Sequence, residues 1–168
     1  MNFYQSLIKY KQTINMVLSL LLVVAFFIPW FSLNPDFKMF AVSEAKLSGL
    51  QIVQGIHFAA PTVSLLGEAY GFPLISKFIY LGYLIILLPI VGIAGIVMSG
   101  MRHPKAVLLH KIHFIGTLGL LAFFMILANF NKDMRELFFS VMILGFGFYV
   151  SVLIAIVGIT LNQIKREK

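Results

Sequence analysis

The charged residues of this chain stand far apart, and that spacing constrains its fold more than any other feature. No Asp, Glu, Lys or Arg occurs between Lys11 and Asp36, between Lys77 and Arg102, between Lys111 and Lys132, or between Glu136 and Lys165. A helix needs roughly 20 mostly apolar residues to cross the hydrocarbon core of a bilayer. Each gap holds a dense apolar run: Met16 to Ile28, Phe78 to Met98, Phe114 to Ala128, and Leu137 to Ile159. The spacing predicts an all-α membrane protein. Four transmembrane helices, over 13–33, 76–100, 107–129 and 137–161, form one integral membrane domain covering 1–168.

Composition agrees. Apolar residues make up 60% of the chain and charged residues 11%, against about 25% charged in ordinary soluble domains. The absence of cysteine excludes a disulfide framework, thiol redox chemistry and cysteine-ligated metal clusters.

A fifth uncharged stretch, Leu47 to Gly67, is long enough to span but carries Gln51, Gln54, His57 and Pro61. Such polar groups are costly in lipid, so the stretch reads as part of an exposed outer loop over 34–74. Four spans then gather Lys9, Lys11, Arg102, Lys105, Lys111, Lys165, Arg166 and Lys168 on one side, opposed by Glu167 alone. The other side is balanced. By the positive-inside rule both termini are cytoplasmic. The first span has too long an apolar run for a cleaved signal and is expected to be an anchor.

Within the outer loop, Lys38 to Val53 alternates apolar and polar residues, with a break at Ser48-Gly49. That pattern predicts two or three short β-strands between the first two helices. Pro61 is placed at the start of one or two helical turns. Asn129 to Glu136 reads as a tight polar turn. Pro89 interrupts the second span and predicts a kink.

Helices in lipid associate through small residues. Candidate packing positions are Gly92, Gly95 and Ser99 on the second span, Gly116 and Gly119 on the third, and Gly147, Ser151, Ala155 and Gly158 on the fourth.

Candidate chemistry is sparse. His110 and His113 share a helix face, and with His103 they supply three nitrogens for a metal. Their neighbourhood is basic, which opposes a cation, so the alternative is a place at the headgroup level beside Lys105 and Lys111. No histidine is expected deep enough for bis-histidine haem. The span interiors hold no Asp, Glu, Lys or Arg, which argues against ion-coupled transport by the chain alone. Ser19, Thr117, Ser140, Ser151 and Thr160 read as too scattered to line a pore. No protease or phosphate-binding motif occurs.

The plan of four helices, internal termini and a larger first outer loop opening near Trp30 resembles the claudin-like tetraspan layout, without its loop cysteines. The motifs Pro29-Trp30, Ser48-Gly49-Leu50 and Gly147-Phe148-Tyr149 are similar to those of small, mostly uncharacterised bacterial four-helix membrane proteins. That resemblance implies a bacterial inner (plasma) membrane, multi-pass, and no particular activity.

The expected function is a non-enzymatic membrane subunit that packs with a larger membrane complex or with its own copies. Trp30, Phe31 and Leu50 are the candidate partner-docking residues. An oligomeric pore or channel and a lipid- or quinone-binding accessory protein are the alternatives. No cofactor is expected. The partners are the lipid bilayer and other membrane subunits or a homo-oligomer, not nucleic acid.

Overall fold

The computed structural model describes residues 3–34, 46–69, 82–130 and 132–164. The chain is mainly helical. Helix α1 covers Phe3–Ala25. Strand β1, Pro29–Leu33, follows, then β2, Lys46–Ser48, and α2, Gly49–Ala69. A 3-10 turn at Gly82–Ile86 runs directly into α3, Leu87–Gly100. Helices α4, Ala106–Ala128, and α5, Lys132–Val141, come next. Strand β3, Met142–Leu144, precedes α6, Phe146–Gln163.

Helices α1, α3, α4 and α6 pack in a ring, each against two neighbours, with α1 also touching α4 across the centre. Gly82–Gly100, Ala106–Ala128 and Phe146–Gln163 are long and apolar enough to cross a membrane. Their outward residues are apolar too: Ile90, Ile93, Leu108, Ile115, Leu153 and Ile156 are all exposed. A soluble bundle buries such a face; lipid accepts it.

Of the expected first span, only the part up to Ala25 is helical. A turn over Phe26 to Ile28 ends it, held by Phe27 N donating to Val24 O and Ile28 N to Ala25 O. Pro29 lacks a backbone donor and disfavours helix at the residue before it. Pro29–Leu33 instead becomes the central strand of a three-stranded antiparallel sheet, order β2-β1-β3. Leu33 faces Met142 and Phe31 faces Leu144.

The expected fourth span, 137–161, is corrected in the same way. Leu137 to Val141 belong to α5 and Met142–Leu144 to the sheet, so α6 starts only at Phe146. Gly145 is the break, in extended conformation, and its N–H donates to Trp30 O at 2.8 Å. A Cβ on Gly145 would lie 2.6 Å from Pro29 O, so the strand pair closes only around glycine.

The stretch Leu47 to Gly67 is not an open loop. Apart from Leu47 and Ser48 it is helical, within α2. Ser48 N donates to Gln51 Oε1 at 2.8 Å, and Gln51 N donates to Ser48 Oγ at 3.3 Å. This reciprocal pair is a capping box, which satisfies donors that a helix start leaves free. Pro61 lies inside α2 rather than at a helix start. Of the expected loop strands, Lys46–Ser48 is found, Gly49 to Val53 is helical, and Lys38 to Ala45 lies outside the described residues. The expected polar turn from Asn129 to Glu136 is shorter, because α5 begins at Lys132. Pro89 stands in the first turn of α3, where the 3-10 turn passes into α-helix. Its missing N–H is tolerated there.

An aromatic cluster joins the sheet to the bundle. Phe26, Trp30, Phe31, Val53, Ile85, Leu121 and Phe148 are buried together, with Leu50 and Ile56 of α2 against them. Helix α2 packs on β2 and on the 3-10 turn, at the sheet end.

Candidate functional site

The inward stripe of α4 is Ala106, His110, His113, Phe114, Thr117, Leu121 and Ala128, all buried. Spacings of three and four residues put them on one face. Two histidines therefore enter the bundle interior, with His110 at 0% and His113 at 1% exposure. Both rings thus face the interior of the protein rather than anionic headgroups.

The small residues of α3 make room for them. The His113 ring lies so close to Gly92 that any Cβ there would overlap it, and a Cβ on Gly95 would lie 3.0 Å from His110 Nδ1. Ser99, one turn on, bonds His110 Nε2 at 2.8 Å, while Ser19 of α1 bonds His110 Nδ1 at 2.7 Å. One imidazole thus ties three helices. With one ring nitrogen a donor and the other an acceptor, the neutral ring suits two hydroxyls, which can each play either part.

A second polar layer lies toward the basic end. Asn15 Nδ2 donates to Asn162 Oδ1 at 3.1 Å, and Asn162 Nδ2 donates to Asn15 Oδ1 at 2.9 Å. Asn162 Nδ2 also donates to Gly158 O. Beyond it, Lys11 Nζ donates to Ile164 O at 2.8 Å, and Gln12 Nε2 to Ser99 O at 2.9 Å. The N-terminal end of α1, the α3–α4 turn and the end of α6 therefore meet at one end of the bundle. Lys9, Lys11, Arg102, Lys105 and Lys111 gather there.

Toward the sheet, His113 Nδ1, Thr117 Oγ1 and Ser151 Oγ are buried without a hydrogen-bond partner among the described residues. Ser19, Thr117 and Ser151, too scattered in sequence to suggest a pore, all point inward and are each 2% exposed or less. Asn15 and Asn162 were missed altogether. The available signal was spacing: Asn15 and Ser19 are one turn apart, as are His113 and Thr117.

The remaining candidates fall as follows. His103 is exposed in the α3–α4 turn, where its Nδ1 accepts from Lys105 N at 3.2 Å. It does not join His110 and His113, and no group of three possible metal ligands occurs among the described residues. On α6, a Cβ on Gly147 would meet Ile28 O and Pro29 O, and one on Gly158 would overlap the Phe114 ring. Ala155 is fully buried. A Cβ on Gly116 would lie 2.9 Å from Leu88, whereas Gly119 faces open space. Trp30 and Phe31, at 1% and 4% exposure, lie in the core, and Leu50 packs partly buried against them. They anchor the sheet to the bundle and offer little surface for docking.

Compared with known proteins, the chain matches no family model, no curated protein and no solved structure.

Proposed function

We propose that this chain is an integral membrane subunit that acts by association, with a larger membrane complex or with its own copies, rather than by catalysis. In this reading α1, α3, α4 and α6 are four spans of a cell (inner) membrane, and both termini are cytoplasmic. Two features support the arrangement. The four helices contact one another in a ring, whereas α2 packs on the sheet end. The cations gather at the opposite end, as expected for a cytoplasmic face.

The observation that carries the functional reading is the apolar surface of the cap. Phe58 and Leu65 of α2 are 80% and 69% exposed, at the end that would stand outside the hydrocarbon core. Large apolar side chains clustered outside lipid mark an interaction surface. With Trp30 and Phe31 committed to the core, α2 takes their place as the docking element.

A photo-crosslinking residue at Phe58 or Leu65, in native membranes, tests this. The expected result is an adduct of discrete mass at both positions, either a dimer or one recurrent partner. No adduct at either, together with a clean monomer after chemical crosslinking, overturns the proposal.

A further inference from the structure

The bundle interior holds hydrogen-bonding atoms for which the described residues supply no partner. His113 Nδ1, Thr117 Oγ1 and Ser151 Oγ are buried and have no partner among the described residues. Their placement is not random. His113 and Thr117 are one turn apart on the inward stripe of α4. Ser151 lies on the inward stripe of α6, which packs along α4. Gly158 meets the Phe114 ring, and Ser151 is about two helical turns from there toward the sheet. His113 and Thr117 therefore sit between the His110 layer and the aromatic cluster around Trp30, and Ser151 lies near the level of Leu121, at the edge of that cluster.

We propose that this stretch of the interior is a hydration site, in which His113, Thr117 and Ser151 hold one or more water molecules inside the bundle. The chemistry selects a small neutral ligand that both donates and accepts. An imidazole and two hydroxyls can do either, and buried water serves such groups with two to four bonds. A cation finds no carboxylate there: the acidic residues of the described segments, Glu68, Asp133 and Glu136, lie outside the bundle helices. An organic ring finds no room, because His113 is pressed onto Gly92 and Phe114 onto Gly158.

The site has one polar approach. Asn15 with Asn162, then Ser19 and Ser99 with His110, give hydrogen-bonding groups at successive levels from the basic end. At the other end Leu121, Phe148 and Trp30 close it. The interior is therefore polar from the basic end as far as Ser151 and apolar beyond it. The inference concerns the interior alone and does not depend on what docks on α2.

Water-edited solid-state NMR on the full chain in lipid bilayers, with isotope-labelled histidine and leucine, tests it. The chain has four histidines. The exposed His57 and His103 report full hydration, and the buried Leu121 methyls report a dry interior. The expected result is rapid transfer of water magnetisation to the His113 ring. In the Thr117→Val, Ser151→Ala double variant that transfer is lost, while the His110 ring shifts stay unchanged. A His113 ring as dry as Leu121 in the parent chain overturns the proposal. So does transfer that persists undiminished in the double variant.

Discussion

The Trp30 indole N–H donates to the Ala25 carbonyl at 3.0 Å, across the turn that ends α1. That carbonyl also accepts from Ile28 N in the turn, so the indole supplies a second bond and ties the end of α1 to the first strand of the sheet. Replacement separates the bond from the packing. Trp30→Phe keeps most of the ring and is expected to cost about 1 kcal/mol. Trp30→Ala empties the aromatic cluster and is expected to cost about 3–5 kcal/mol. Thermal unfolding in detergent measures both.

The Asn15–Asn162 pair couples the middle of α1 to the end of α6. Interhelical hydrogen bonds in membranes contribute roughly 0.6–2 kcal/mol. Asn15→Leu leaves the buried Asn162 amide only its bond to Gly158 O, and Asn162→Leu removes both bonds of the buried Asn15 amide. The double change Asn15→Leu with Asn162→Leu is therefore expected to be less destabilising than the two single effects added. A double-mutant cycle on unfolding free energies reads the difference.

Two glycines should respond oppositely to alanine. At Gly147 a Cβ would lie 2.7 Å from Ile28 O and 2.8 Å from Pro29 O. These are backbone atoms at the helix–sheet junction, so Gly147→Ala is expected to destabilise, by on the order of 1–3 kcal/mol. Gly119 has nothing within 4 Å. Gly119→Ala there is expected to be neutral or to stabilise by up to about 1 kcal/mol, through helix propensity.

The strand pairing has a covalent test. Leu33 and Met142 face each other, and the bonds from Gly145 N to Trp30 O and from Asn34 N to Val141 O place them at a non-hydrogen-bonded position, where side chains approach most closely. In this cysteine-free chain, Leu33→Cys with Met142→Cys should crosslink readily under mild oxidation. A gel shift after proteolysis between the two sites reports it. If 137–161 were a continuous helix, the pair would not form.

How far the sequence disclosed this fold depends on what each residue pattern can distinguish. Helix α4, expected over 107–129 and found at Ala106–Ala128, is framed by basic residues and the end of its apolar run. The last helix starts nine residues later than expected, at Phe146, because hydropathy does not separate a buried strand from a helix. Gly145 and Gly147, on either side of Phe146, were the clue; Gly145 was given no role, and Gly147 was read as a packing position and as part of a motif. Ser48 and Gln51, three apart, encode the start of α2 through their capping box, while the polar residues behind them drew attention to loop character. The inward direction of His110 and His113 was not legible because position along a helix does not say what the side chain faces. Whether a side chain faces lipid or interior depends on which helix lies opposite, and Gly92, Gly95 and Ser19 decide that here.

Because β1 sits in the middle of the sheet, between a strand made soon after it and one made only as the last helix approaches, the cap carries a record of synthesis. During translation β1 and β2 can pair early, but the other edge of β1 stays open until Met142–Leu144 has emerged and α6 is ready to insert. An open strand edge is a template for wrong pairing. Closure of the sheet is therefore the event that marks a finished chain. A copy halted before its final helix would present its central strand to chaperones, proteases or a neighbour in the same condition.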